Sequence, residues 1–376
     1  MFERIWQMLK KEFIQTFRDP RMKAVIFAMP VVQTLVFGYA VTTDIRNVPT
    51  AVYDQDRTPQ SRELTALFSG SGYFDLSYRI EDESQVSDLL DRGKVKAVLR
   101  MEQGFAADLE AGQATALQIL VDGSDSNTAG KILDYAARIA GDYGEQILVQ
   151  RIVRHLGTPP QVSPVEIKTR AWFNPNLESR NYYVPGVIAL IAMLITLMLS
   201  SMAVVREKEI GTIEQIMVTP ITQAEFILGK TVPFALIGFI DVLLITAVAV
   251  FWFAIPLHGN ILLLLAATAL YLMSTLGIGL LISTVSRTQQ QAMMSTFFFY
   301  FPAVLLSGFM FPIANMPTVI QWLTYLNPLR YFLVIVRGIF LKGVGASILW
   351  PQMGALAVIG TVMLVLAMQR FRKTQA

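Results

Sequence analysis

Long uncharged runs alternate with polar stretches along this chain. Val187 to Val205 is an uncharged run that ends at the block Arg206-Glu207-Lys208-Glu209, and Val232 to Ile255 is a second apolar run. A helix needs about 20 apolar residues to cross the hydrocarbon core of a bilayer. The two runs predict a transmembrane hairpin, joined by the polar loop Arg206 to Thr231. Ala24 to Val41, Ile261 to Val285, Ala292 to Ile313 and Val344 to Met368 read as four further spans, the last stopped by Arg370, Arg372 and Lys373. Pro30 and Gln33 are tolerable in the first where they face other helices. Thr318 to Leu341 is also apolar but contains Asn327, Pro328, Arg330 and Arg337. A crossing there would bury two arginines, so residues 314–343 read as re-entrant or surface helices on the outer side. The expected fold is an α-helical integral membrane protein with six transmembrane helices and an inserted α/β extracytoplasmic domain.

That domain shows in a change of period. Between Asp44 and Tyr183 short β runs alternate with helical ones. Val48 to Tyr53, Phe74 to Ile80, Lys96 to Met101 and Leu117 to Val121 read as strands, and Thr58 to Phe68, Glu83 to Arg92 and Phe105 to Ala111 as the helices between them. A long amphipathic helix follows, with Ile132, Ala136, Ile139, Tyr143 and Ile147 on one stripe, and Val165 to Phe173 reads as a last strand. At the other end, Phe2, Ile5, Trp6, Leu9, Phe13 and Phe17 share one face of an interfacial helix, with Arg4, Gln7, Lys10, Lys11 and Glu12 elsewhere. Charges interrupt this segment too often for a cleaved signal peptide. The expected organisation is 1–23 as a cytosolic interfacial helix, 24–43 as the first span, 44–183 as the extracytoplasmic domain, and 184–376 as five spans carrying the cytosolic loop 206–231 and the external segment 314–343.

Charge supplies the orientation. The 376 residues are 53% hydrophobic with a net charge of +3, but residues 44–183 hold 15 Lys/Arg against 20 Asp/Glu, leaving a basic remainder. A basic remainder built around membrane spans points to the cytosolic lipid surface and not to nucleic acid. Six spans place 6 Lys/Arg of the first 23 residues, 3 of the hairpin loop, Arg287 and 3 at the C-terminus on one side. By the positive-inside rule that side is the cytosol, with both termini in it. A seventh crossing would put the basic tail outside.

Chemical motifs are sparse. The loop carries two capping boxes, Thr212-Ile-Glu-Gln215 and Thr222-Gln-Ala-Glu225, separated by Pro220. They predict two short helices across the membrane face, with Gly211 as a joint and Glu209 and Glu214 near the N-terminus of the first; an ordinary solvated loop is the plainer alternative. Gly229-Lys230-Thr231 matches the end of a phosphate-binding loop, but Ala224 stands where the pattern needs glycine. His155 and His258 have no metal-ligand spacing around them, and with no cysteine in the chain neither a metal site nor a cofactor is expected. Gly123-Ser-Asp-Ser126 reads as a strand-to-helix turn, not a nucleophile site. Asp241 is the one acid inside an expected span, which makes it a candidate intramembrane pathway residue with a structural hydrogen-bonding role equally open.

Arg206-Glu-Lys-Glu-Ile-Gly-Thr-Ile-Glu-Gln-Ile-Met-Val-Thr-Pro220 resembles the cytosolic loop of ABC type-2 transporter permeases. Asn327-Pro-Leu-Arg-Tyr-Phe332 resembles their motif before the last span, and Lys11-Glu12 with Arg18-Asp-Pro-Arg21 is similar to their N-terminal segment. The resemblance covers nearly the whole chain, and the domain between spans one and two places it closest to bacterial multidrug-type export permeases. It implies a multi-pass subunit of the bacterial inner membrane that moves a hydrophobic or amphipathic substrate, drug-like or lipid-like, out of the cytosol or membrane. It implies that the chain is not itself an enzyme: ATP is hydrolysed by a separate ATP-binding cassette subunit, docked on a coupling helix marked here by Glu207, Glu209, Gly211, Thr212 and Glu214. A second permease copy or a paralogue, membrane lipid and a periplasmic adaptor are the other partners implied. Two classes compete: a membrane-anchored receptor with an external ligand-binding domain, and an ion-driven secondary transporter. The first would need a large cytosolic signalling segment, and the second several intramembrane charges and an inverted repeat.

Overall fold

The computed structural model describes residues 2–18, 20–40, 47–156, 172–175, 178–212 and 222–373. The chain divides into two compact units, one of Met1–Thr42 with Arg170–Ala376 and one of Thr43–Thr169. The first unit opens with helix α1 (Phe2–Arg18). After the short turn Pro20–Lys23 comes a π-helical turn, Ala24–Ala28, and then α2 (Met29–Ala40). The wide turn sits directly before Pro30, whose ring would crowd the carbonyl four residues back in a regular helix.

The second unit is a four-stranded sheet with helices on both faces. Its elements are β1 (Val48–Asp54), α3 (Pro59–Gly70), β2 (Phe74–Arg79), α4 (Ser84–Asp91), β3 (Ala97–Met101), α5 (Phe105–Ala111), β4 (Leu117–Val121) and α6 (Ser126–Leu156). The strand order is β2-β1-β3-β4, with β1 parallel to β2 and β3, and β4 antiparallel to β3. Alternate side chains of the strands face opposite sides. Val48, Val52 and Leu99 pack with Leu64, Phe68, Phe105 and Ile132 on one face, and Ala51, Tyr53 and Val98 pack with Val86 on the other. The strands lie within a residue of where the alternation puts them, and the stripe of α6 meets the first face. Asp122 and Asp125 bond the backbone of the turn into α6, so the Gly123 to Ser126 segment is a strand-to-helix turn. Most of Val165 to Phe173 lies outside the described residues; Trp172 and Phe173 form a bend.

The rest of the first unit is helical: α7 (Ser179–Ile210), α8 (Gln223–Ala247), α9 (Ile261–Val285), α10 (Gln289–Leu305), α11 (Thr318–Thr324), α12 (Pro328–Arg337) and α13 (Ala346–Lys373). Four helices, Ser179–Ile210, Glu225–Trp252, Ile261–Val285 and Ala346–Arg370, are long and apolar enough to cross a membrane, and Thr318–Thr324 with Pro328–Lys342 forms a pair bent by 78°. Small residues let them approach. A Cβ on Gly279 would lie 1.8 Å from Ser200 Oγ, and one on Gly360 would lie 2.7 Å from the end of Met273. Hydroxyls add cross-links: Thr196 to Thr275 at 2.9 Å, Tyr271 to the Ala189 carbonyl at 2.9 Å and Ser274 to the Leu356 carbonyl at 3.0 Å.

Three expectations are corrected. The second capping box exists, Thr222 N–H donating to Glu225 at 2.7 Å, but it opens α8 itself and not a separate surface helix. The hairpin loop is correspondingly shorter than Arg206 to Thr231, because α7 also continues to Ile210. The span expected at Ala292 to Ile313 is the 17-residue helix α10, which stops at Leu305, three residues after Pro302 and before Gly308 at φ +82°.

Candidate functional site

Three consecutive residues at the end of α7 point in three directions, because each helical step turns by about 100°. Glu207 is buried, and its Oε1 accepts from Lys230 Nζ of α8 at 2.7 Å and from Lys11 Nζ of α1 at 3.4 Å. Its Oε2 accepts from the Thr212 hydroxyl. Lys208 Nζ donates to the Thr284 carbonyl at 2.8 Å, in the last turn of α9, where a cation meets the negative end of the helix dipole. Glu209 Oε2 accepts from Gln289 N–H at 3.1 Å and Gln289 Nε2 at 2.8 Å, at the first turn of α10, where a carboxylate meets free N–H groups. Gly211 then ends α7 with φ +81°, a conformation that glycine adopts without strain. The charged block thus ties the end of α7 to four other helices.

The side chains of Glu207 and Lys230 are 5% and 3% exposed, whereas Lys11 is 54% exposed. Removing one member of such a buried pair strands the other, at a cost of about 3–5 kcal/mol. The half-exposed Lys11 adds less. Contact between α1 and α8 is made by a second residue. A Cβ on Gly229 would lie 2.9 Å from Met8 Cβ, so only glycine admits Met8 there. Met8 and Lys11 lie opposite the aromatic stripe of α1 at 3.6 residues per turn, and Trp6 on the stripe is 58% exposed.

Of the residues singled out from sequence, Glu207, Glu209, Gly211 and Thr212 come together here. Glu214 lies outside the described residues, as do Gln215 and the rest of the first capping box. Asp241 does not join them: it lies eleven residues beyond Lys230 on α8, about 16 Å along the axis. It is fully buried, and neither carboxylate oxygen has a partner among the described residues. Gly229 and Lys230 are the residues that motif reasoning passed over. Tested only as a phosphate loop, they serve as a helix contact and an ion-pair partner; a lone lysine opening an apolar run was the available signal.

The Asn327-Pro328 motif has a local cause. Asn327 Oδ1 caps α12 by accepting Leu329 N–H at 3.1 Å, and its Nδ2 donates at 2.6 Å to the Ala303 carbonyl near the end of α10. Arg330 stacks 4.1 Å from the Tyr325 ring. Arg337 lies 3.7 Å from the Tyr182 ring and donates to the Gly308 carbonyl at 3.3 Å. Rings and carbonyls thus hold the two arginines that argued against a straight crossing.

Long apolar helices cross-linked by hydroxyls and tied at one end by charged side chains define a polytopic helical membrane protein. Comparison with known proteins narrows the class. The chain belongs to a family of ATP-binding-cassette transporters: the family described as "ABC-2 family transporter protein" matches residues 24–368. It is 32% identical to the probable multidrug ABC transporter permease YbhR of Escherichia coli K12, over 96% of this chain and 95% of that protein. It is also 32% identical to the probable multidrug ABC transporter permease YbhS, over 91% and 89% of the two chains. A third relative is the inner membrane transport permease YhhJ of the same organism, 28% identical over 90% and 89%.

Proposed function

We propose that this chain is the permease subunit of an ATP-driven exporter in a bacterial inner membrane. It moves hydrophobic or amphipathic molecules outward, with ATP hydrolysed by a separate ATP-binding cassette subunit. Family membership and the likeness to the two probable multidrug permeases support the reading. The observation that carries the mechanism is the charged block. Gly211 to Met217 is the expected docking helix, and a push on it reaches α1, α8, α9 and α10 through Glu207, Lys208 and Glu209.

In this reading α2 and α10, with the four longer helices, make six spans. Residues 44–183 lie outside the membrane, where a periplasmic adaptor can contact them, and both termini and the loop after α7 lie in the cytosol. Two permease chains pair around the substrate path, which Asp241 serves.

The test is purification of the full chain in detergent, alone and with the ATPase that travels with it. The chain alone is expected to turn over no ATP, and the complex to do so. A Glu209→Lys, Glu214→Lys double variant is expected to reach the membrane in normal amount, bind the ATPase weakly and lose export. ATP turnover by the chain alone, or normal assembly and export by the double variant, overturns the proposal.

A further inference from the structure

The Thr43–Thr169 unit contains a cleft of about 840 Å³ that the transport mechanism does not use. It opens beside the carboxyl ends of the parallel strands β1 and β2, between them and α3. Three arginines from three elements line it: Arg57 from the β1–α3 loop, Arg62 from α3 and Arg79 from the end of β2. None of the three has an ion-pair partner among the described residues. Of the two lining acids, Asp54 is committed to its own loop. It accepts from Asp56 N–H at 3.1 Å, Arg57 N–H at 2.9 Å and the Ser61 hydroxyl at 2.7 Å. Glu81 alone opposes the three cations, in a cleft set on a domain of net negative charge.

The loop that presents Arg57 is built in a costly conformation. Arg57 has φ +53°, a region that side chains other than glycine, asparagine and aspartate rarely adopt. Such outliers persist where the surroundings over-determine them and cluster at ligand clamps. The surroundings here are two aspartates. Asp54 fixes the Arg57 N–H, and Asp56 accepts from Gly104 N–H at 2.8 Å and Ala106 N–H at 3.0 Å, fastening the loop to the start of α5. Burial raises the Asp56 pKa, but bonds from Thr58 and from the N–H groups of Ala106, Gly104 and Phe105 outweigh it and hold the carboxyl below its ordinary value. The remaining wall is mixed, with Val52, Leu76, Ile80 and Ala66 beside Thr65 and Ser69. Guanidinium forks match paired oxygens of phosphate and carboxylate, and Val52, Leu76 and Ala66 offer contact to a short hydrocarbon body.

We infer that this cleft is a binding site for a small anionic amphiphile, an organic phosphate or carboxylate, held by Arg57, Arg62 and Arg79. The inference does not depend on the direction of transport or on the ATPase. The test is titration calorimetry on the full chain in a nonionic detergent, with butyl phosphate, inorganic phosphate and butanol as probes. Butyl phosphate is expected to bind saturably, one per chain, and about tenfold or more tighter than inorganic phosphate, a gap of about 1.4 kcal/mol. The Arg57→Gln, Arg62→Gln, Arg79→Gln triple variant is expected to lose at least about tenfold. The Ala66→Trp variant, which fills the cleft and keeps the charges, is expected to lose as much. All four positions are exposed, so the fold survives, as an unchanged melting profile verifies. Absence of saturable binding, equal affinity for inorganic phosphate or butanol, or a triple variant that binds like the parent overturns the inference.

Discussion

Replacing Lys230 with Met tests whether the buried pair holds the junction together. The substitution keeps the length and apolar stem but leaves Glu207 with the more distant Lys11 and the Thr212 hydroxyl. At 2.7 Å, an effective dielectric constant near 20 gives an attraction of about 6 kcal/mol, from which desolvation of both groups subtracts. The net loss on removing one partner is about 3–5 kcal/mol. Lys11→Met, at 54% exposure, loses about 1 kcal/mol or less. The double variant Glu207→Gln, Lys230→Met leaves no stranded charge and regains most of the loss. Thermal unfolding in detergent closes the cycle, and hydrogen exchange over residues 204–212 localises it. Lys230→Met melting like the parent, or a double variant as unstable as Lys230→Met, would refute the reasoning.

Gly229→Leu pushes against Met8 Cβ and costs about 1–3 kcal/mol by overpacking; exchange protection of α1 falls while that of α9 is unchanged. Asp56, Asp122 and Asp125 have lowered folded-state pKa values, from hydrogen bonds in the first case after burial opposes them, from the Lys96 bond first in the second and from the Thr128 hydroxyl first in the third. Their stabilisation is therefore present above the unfolded aspartate pKa of about 3.9 and is lost as pH falls through the folded values. Protection factors in β3 and β4 of the full chain, corrected for the intrinsic pH dependence of exchange, should fall on acidification, less steeply in Asp122→Asn. Single cysteines at Ser124 and Thr219 of this cysteine-free chain label from opposite sides with an impermeant reagent; labelling from one side defeats the six-span orientation. Asp241→Asn keeps the melting temperature but lowers export, and unchanged export removes Asp241 from the substrate path.

The sheet was legible because period-two alternation reports directly on which side chains face the core, as Val48, Val52 and Leu99 do. Apolarity also marked Ile261–Val285 as one helix to the residue. It could not mark where α7 ends and α8 begins, because hydropathy treats Glu207 and Lys230 as two separate solvated charges. Only the fold brings residues 23 apart in sequence to 2.7 Å and lets both enter a helix interface. The same limit applies to α10, where a backbone break after Pro302 ends an apolar run that composition would continue. Arg337 was readable as a misfit but not as a solved one, since its ring partner Tyr182 lies 155 residues away. The cleft arginines carry no periodic signal, and their convergence is a product of the β1–α3 loop and the strand order.

The ties from Lys208 and Glu209 attach to α9 and α10 at helix ends, not at their middles. Tyr271 and Thr275 bond α9 to α7 again further along, through the Ala189 carbonyl and the Thr196 hydroxyl. Two helices fastened at several points along their length move as one body and not by swinging about a pin. The 25 residues of α9, about 37 Å at 1.5 Å per residue, therefore act with α7 as a strut, which carries a displacement of the charged block along its length undiminished.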